Sequence, residues 1–409
     1  MNIWVISKYA SSKETKFESR IFALGRRFAQ LGHEVTIISS DSNHFGEYPT
    51  YKQVYNDENI DGVNVLRIRT FKYSRTTSIR RIISWIDFEI KLFFAPLRKS
   101  ARPDILIVSS LSLLTILNGI RLKKHFNTKL VFEIRDIWPL TMVAEAGYNP
   151  RNPFVKLLGL IEKIGYKKSD LVVGTMPNLV EHVHGVTGNR NIKVECVPFG
   201  FDAFFFKINK PDPISFASRY NIPRDKFIIG YAGSIGLSNG LSALIDCIQN
   251  MRDDTRFIFL ILGDGEMKKE YAKKTSGCNN VIFIPKVDRS EVSSFLSLCN
   301  ILYFSALKSQ IWKYGWSPNK LIDYMMAGKP IIASYSGFQS MINEANSGIF
   351  IESENAFAIK DAVIQFFKLS AEERNKIGIN GRNWLLENRD WDVVAEKYIF
   401  LLNKVIHER

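Results

Sequence analysis

FIIGYAGSIGLSNGLSALIDC, residues 227–247, passes from an apolar run (Phe227 to Tyr231) through a glycine-rich turn (Gly230 to Gly240) into a helical run (Leu241 to Cys247). A buried strand, a glycine turn and a helix form half of a βαβ unit, and glycine at such a turn lets a ligand phosphate approach backbone N–H groups at the helix start. The same order repeats further on: Phe257 to Leu262 reads as a strand, Gly263-Asp264-Gly265 as the turn, and a helix begins near Glu266. One such turn is equally well a tight connection. Two at successive positions favour a phosphate or ribose pocket.

Outward from this stretch, runs rich in Val and Ile alternate with longer amphipathic segments, the pattern of βαβ units in parallel sheets. The first half supplies runs at 3–6, 35–38, 63–68, 105–108, 130–134, 171–173 and 194–197, and the second continues at 281–284, 301–304, 331–333 and 349–351. The expected fold class is therefore α/β, with two Rossmann-like, doubly wound sheets. Pro198 to Pro223, with Pro198, Gly200, Pro211, Pro213 and Pro223, breaks the periodicity and marks the junction. Domains are expected at 1–200 and 201–390. The remainder, 391–409, carries Val394, Tyr398, Leu401, Leu402 and Val405 at helical spacing, to pack on its own domain or cross back to the first.

A length of 409 residues suits two cores, and 46% hydrophobic with 23% charged residues is a globular balance. The net charge of +14 attracts anions. Nucleic acid is not expected, because no aromatic-basic motif accompanies the charge. The four cysteines (Cys196, Cys247, Cys278, Cys299) have no CxxC spacing and read as reduced thiols, neither a zinc site nor a disulfide framework. MNIWVIS reads as a first buried strand, not a signal peptide, and no run reaches about 18 apolar residues. The expected location is cytoplasmic, at most lying on a membrane.

SPNKLIDYMMAGKP, residues 317–330, holds the densest chemistry. Pro318 near a helix start leaves N–H groups free, and Asn319 and Lys320 suit a diphosphate. Asp323, one turn on from Lys320, suits ribose hydroxyls. The alternative is a Lys/Asp surface pair. In the first half, Glu133 to Pro139 (EIRDIWP) puts two acids and an arginine at a strand's carboxyl end, either facing a ligand or forming a structural Arg/Asp pair. The loop Ser7 to Arg20 leaves another strand end without a tight turn.

Arg75 to Arg102 has seven Lys/Arg against two acids, with Ile79, Ile82, Ile83, Ile86, Ile90, Phe93, Phe94 and Leu97 on a helical stripe. Trp85, Phe88 and Leu92 lie off the stripe and widen the apolar surface. Such a helix suits a lipid interface, and the alternative is a core-packing surface helix with a solvated basic side.

Taken in order, LGHEVTII (31–38), IDGV (60–63), RDIWPL (135–140), SDLVV (169–173), VPFGFD (197–202), the turns at 233–240 and 263–265, and NKLIDYMMAGKP (319–330) resemble the retaining GT-B glycosyltransferases of family 4 over nearly the full length. The likeness is nearest to the capsule and surface-polysaccharide branch. It implies two Rossmann-like domains facing across a cleft, acceptor on 1–200 and nucleotide-sugar donor on 201–390, with no metal and no cofactor required. By the same resemblance, Gly233, Ser234, Gly236, Asn239, Gly263, Lys286, Asn319, Lys320 and Asp323 bind a donor expected to be UDP-linked. Lys13, Glu14, Arg20 and Trp138 bind the acceptor, a lipid-linked saccharide. Asp136, Arg135 and Lys320 are the catalytic candidates. The glutamate pair common in the family is replaced here by Gly315 and Asp323.

The expected function is sugar transfer from a nucleotide diphosphate sugar in capsule, O-antigen or exopolysaccharide synthesis, at the cytoplasmic face of the inner membrane. The partners are the nucleotide sugar, the lipid-linked acceptor and an anionic membrane surface met through Arg75–Arg102. The alternatives are an inactive glycosyltransferase-like partner subunit and a nucleotide-sugar epimerase of the same fold.

Overall fold

The protein is described by a computed structural model covering residues 1–409 except 16–17, 44–46, 50, 74–77, 98–100, 209 and 409. The chain divides into two compact units, Met1–Gly200 with Trp391–Arg409, and Phe201–Asp390.

Unit 1 carries strands β1 (Asn2–Ile6), β2 (Glu34–Ser40), β3 (Tyr55–Ile60), β4 (Val63–Ile68), β5 (Ile105–Ser109), β6 (Lys129–Ile134), β7 (Leu171–Gly174) and β8 (Val194–Cys196). Their order is β3-β4-β2-β1-β5-β6-β7-β8. All neighbours are parallel except β3 and β4, an antiparallel hairpin turned at Asp61-Gly62, where both residues have positive φ (52° and 82°). That two-residue turn matches strand twist, and Asp-Gly tolerates it. Unit 2 carries β9 (Phe227–Ala232), β10 (Phe257–Leu262), β11 (Val281–Ile284), β12 (Ile301–Ser305), β13 (Ile331–Ser334) and β14 (Gly348–Ile351), all parallel in the order β11-β10-β9-β12-β13-β14. Both are doubly wound α/β sheets: β1, β5, β9, β10 and β12 are buried or nearly so along their whole length because helices cover both faces.

The last helix, Trp391–His407, belongs to the core of unit 1, where Val394, Tyr398, Leu402 and Val405 join Ile21, Leu24 and Phe28 of the helix Arg20–Gln30. Phe28 and Tyr398 meet edge to face with centroids 5.7 Å apart. A charged clamp locks this corner. Arg20, with its side chain fully buried, lies 3.4 Å from Glu133 Oε1 and donates to the carbonyls of Val197 (2.8 Å) and Pro198 (2.5 Å). Tyr398 OH donates to Glu133 Oε2 at 3.1 Å. One guanidinium thus joins the first helix, β6, the exit from β8 and, through Glu133, the last helix. A buried charge so fully paired is tolerated; the same charge stripped of its partner costs about 3–5 kcal/mol.

Candidate active site

In doubly wound sheets, ligands sit beyond the carboxyl ends of strands where the order reverses, which is between β9 and β12 in unit 2. A cavity of about 680 Å³ lies at that edge, lined by Gly233, Ser234, Gly263, Lys286, Arg289, Asn319, Lys320 and Asp323 among others. This volume is in the range of small-molecule sites. The two glycine turns cross closely: a Cβ on Gly263 would sit 1.9 Å from the Gly233 carbonyl oxygen, at φ +145°, so only glycine fits. Their amides are spent on the scaffold, Gly233 N donating to Leu262 O and Gly263 N to Ile284 O. These glycines therefore shape the cavity floor and leave phosphate contacts to other groups.

Those groups come from the helix Asn319–Met326. Pro318 is its N-cap and no side chain caps it, so its first-turn N–H groups face the cavity end without a side-chain acceptor. Tyr324 OH fixes the helix to β9 by accepting from Ala232 N (2.8 Å) and donating to Ala232 O (3.1 Å). The half-buried Lys320 Nζ donates to Tyr231 OH (2.9 Å) and to Asn239 Oδ1 (2.8 Å), and burial lowers its pKa to about 8. An ammonium has three donors, so one remains for a ligand. Asn239 thus acts through Lys320. Gly236 stands outside the cavity lining, with 3.8 Å from its would-be Cβ to Glu266.

Asp323 is buried, and both of its oxygens accept from the Arg289 guanidinium. Burial raises its pKa while Arg289 opposes the rise. A carboxylate offers about four lone-pair sites, so the pair leaves acceptor capacity for ribose hydroxyls. Gly315 ends the turn Gln310–Tyr314 in left-handed backbone (φ +86°), and that turn supplies no carboxylate.

In unit 1 the order reverses between β1 and β5. Arg135 and Asp136 follow β6. Arg135 is half-buried, its guanidinium 4.4 Å from the Phe199 ring centroid and its N–H bonded to Ser110 Oγ (2.9 Å); Asp136 is exposed. They form no ion pair with each other among the described residues. Lys13 and Glu14 lie exposed on the turn Lys13–Thr15, with Lys13 3.8 Å from Glu18. Arg20, expected to bind the acceptor, is instead buried in the clamp, with three of its five N–H donors bonded to Glu133, Pro198 and Val197. Trp138 stands apart from these, edge to face with Trp85 (5.9 Å).

Arg289, Tyr231 and Lys8 were missed in the sequence. Arg289 follows β11 (Val281–Ile284) by five residues, a basic residue soon after a strand of the donor unit, which is the signal that could have found it. Lys8 follows β1 directly; it is buried, donates to Ser42 O (2.8 Å), and burial lowers its pKa to about 7. Glu89, from the helix Ile79–Phe93, accepts from Ser112, Thr115 and Asn118. Phe88 and Leu92 of this helix, expected to widen the exposed surface, instead face the core. Of the expected segment Arg75–Arg102, residues 75–77 and 98–100 lie outside the described residues. Among the described residues no group of His, Cys, Asp or Glu is arranged to hold a metal ion.

Two families match the chain, Glycosyltransferase Family 4 over residues 17–203 and glycosyl transferases group 1 over residues 215–384. No curated protein matches it by sequence. Solved structures share its fold across almost the whole chain. Sucrose-phosphate synthase from Thermosynechococcus elongatus has a TM-score of 0.72 at 16% identity, covering 99% of this chain and 98% of its own. A trehalose-6-phosphate protein of E. coli bound with UDP-2-fluoro glucose has 0.74 at 10%, covering 100% of each. Anabaena HepE in complex with UDP has 0.66 at 12%, covering 99% and 100%.

Proposed function

We propose, from the premise that a family 4 domain followed by a group 1 domain makes this chain a GT-B glycosyltransferase, that it moves a sugar from a UDP-linked donor to a lipid-linked saccharide with retention at the anomeric carbon. The observation that carries this reading is the cavity at the β9/β12 edge, where Lys320 and an uncapped helix start converge. There the diphosphate would meet the remaining Lys320 donor and the first-turn amides, which offset charge as the nucleoside diphosphate departs. Asp323, held by Arg289, would accept the ribose hydroxyls. UDP as the nucleotide is supported by the UDP and UDP-2-fluoro glucose bound in HepE and the E. coli protein. Surface-polysaccharide synthesis at the cytoplasmic face of a membrane is the setting that suits a lipid-linked acceptor, with unit 1 as the acceptor side and Asp136 at the reacting sugar.

Calorimetric titration with UDP, GDP and ADP tests the donor site, and saturable binding of UDP above the others is expected. Transfer from UDP-sugars, with the product anomer read by NMR, tests retention. Asp136→Asn should lower turnover about 100-fold, on the scale of losing an acid or base group, at nearly level UDP affinity. Absence of nucleotide binding sinks the reading, and binding without turnover of any donor turns it into the inactive-partner alternative.

A further inference from the structure

Lys320 enters the cavity at the β9/β12 edge from the helix Asn319–Met326, and only neutral oxygens hold it there. The Tyr231 hydroxyl spends its single proton on Ser234 O (2.7 Å), so toward the ammonium it can only accept, at 2.9 Å. Asn239 turns Oδ1 to the same nitrogen at 2.8 Å, and its own carbonyl is pinned by Ser305 Oγ (2.6 Å). The rings of Tyr231 and Phe304 flank the charge, with centroids 4.6 and 5.9 Å from Nζ. Gly233 makes the room: a Cβ there would stand 2.9 Å from Nζ and 3.1 Å from the Tyr231 hydroxyl.

No carboxylate answers this charge. Among the described residues Lys320 forms no ion pair, and each nearby acid is engaged elsewhere. Asp323, one turn along the same helix, has both oxygens on Arg289. Asp264, after β10, lies 3.5 Å from Lys268, and Glu266 accepts from Leu237 N (3.3 Å). The remaining charged groups of the lining are cations, Lys286 and the Arg289 that Asp323 neutralises. Tyr231, whose hydroxyl burial pushes further above its ordinary range, stays neutral, and Tyr324 is tied to Ala232. A half-buried ammonium held by dipoles alone gives up its proton more readily than one in water, and burial accordingly brings Lys320 down to about 8. An anion placed against it reverses that balance.

Resting on the reading of this cavity as the donor site, we propose that Tyr231 and Asn239 are positioning residues that keep Lys320 without a counter-charge until the donor's diphosphate supplies one. Where Lys320 is partly neutral, the nucleotide therefore enters together with a proton, taken from solvent and held on Nζ.

The test is calorimetric titration of the full chain with UDP at pH 7, 8 and 9, repeated in buffers of different ionisation enthalpy to count protons. The wild type should take up about half a proton per UDP at pH 8, and its affinity should fall about tenfold from pH 7 to pH 9. Asn239→Asp, at a half-buried turn position, gives Lys320 a carboxylate in advance. That variant should bind UDP at least tenfold more weakly at pH 8 and take up almost no proton. Asn239→Ser and Tyr231→Phe each withdraw an oxygen from the ammonium, so their affinity should begin to fall at a lower pH than in the wild type. Wild-type binding of UDP without proton uptake overturns the positioning role while leaving the donor site in place, as does Asn239→Asp with wild-type affinity and proton count. Weaker binding by Asn239→Ser at an unchanged pH midpoint, the result of lost packing alone, overturns it too. Absence of UDP binding by the wild type at pH 7 removes the donor site itself, and this role with it.

Discussion

The carboxyl edge of unit 2 is shaped by backbone, and that of unit 1 by side chains. At the β9/β12 edge two glycine turns pass within reach of one another and shape a cavity whose rim carries Asp264, Lys286, Lys320 and the Arg289–Asp323 pair. At the β1/β5 edge Lys8, Asp41 and Glu89 are drawn inside the fold, each matched by carbonyls, amides, hydroxyls or an ion pair. A backbone-built site tolerates exchange of surrounding side chains as long as the glycines stay. A site built from interior charges is tied to the stability and protonation of its unit.

The contrast breaks first at the clamp. Glu133→Gln leaves Arg20 buried without its carboxylate and should cost about 3–5 kcal/mol in urea unfolding; a loss under about 1 kcal/mol would mean that unit 1 does not depend on its interior charges. On the other side, Lys320→Ala should weaken UDP binding by about 1.5–3 kcal/mol, the scale of a charge-assisted hydrogen bond, with unfolding little changed. Unaltered calorimetric affinity would take Lys320 out of the phosphate site.

Lys8 sharpens the comparison through pH. Its folded pKa, about 7, lies below the ordinary value of 10.5, so between these the unfolded chain holds a proton that the folded chain lacks. Stability should therefore rise with pH, by up to about 1 kcal/mol between pH 7 and 8 from this group. Unfolding of Lys8→Met should lack that increment, and identical slopes in the two proteins would refute it. The smallest effect belongs to Arg289→Ala. Its exposed guanidinium should contribute under about 1 kcal/mol to stability, but without it the buried Asp323 carboxyl rises further in pKa. UDP affinity measured across acidic pH should then fall at a higher pH in the variant than in the wild type.

How far the sequence reveals this depends on distance along the chain. The glycine turns were legible because strands buried on both faces give unbroken apolar runs and the turn residues follow at once. β3 was not, since Tyr55–Ile60 (YNDENI) is a polar edge strand, the kind that resists unwanted pairing and shows no apolar run. Asp323 was visible as a carboxylate near Lys320, but its partner Arg289 lies 34 residues away. Arg20 misled because a charge after a strand-end loop looks like a ligand contact, and Glu133, 113 residues on, could not be paired with it by spacing. The helix Ile79–Phe93 showed its stripe plainly. Periodicity could not say that Phe88 and Leu92, off the stripe, were the side turned inward.

The return of Trp391–His407 to the first unit also orders events on the ribosome. Residues 201–390 are all synthesised before this helix emerges, so unit 2 can close on itself while the N-terminal sheet is still short of Val394, Tyr398 and Leu402. During that interval the groove beside Phe28 stands uncovered and Glu133 waits for the Tyr398 hydroxyl, making the nascent first half the part most in need of protection from aggregation.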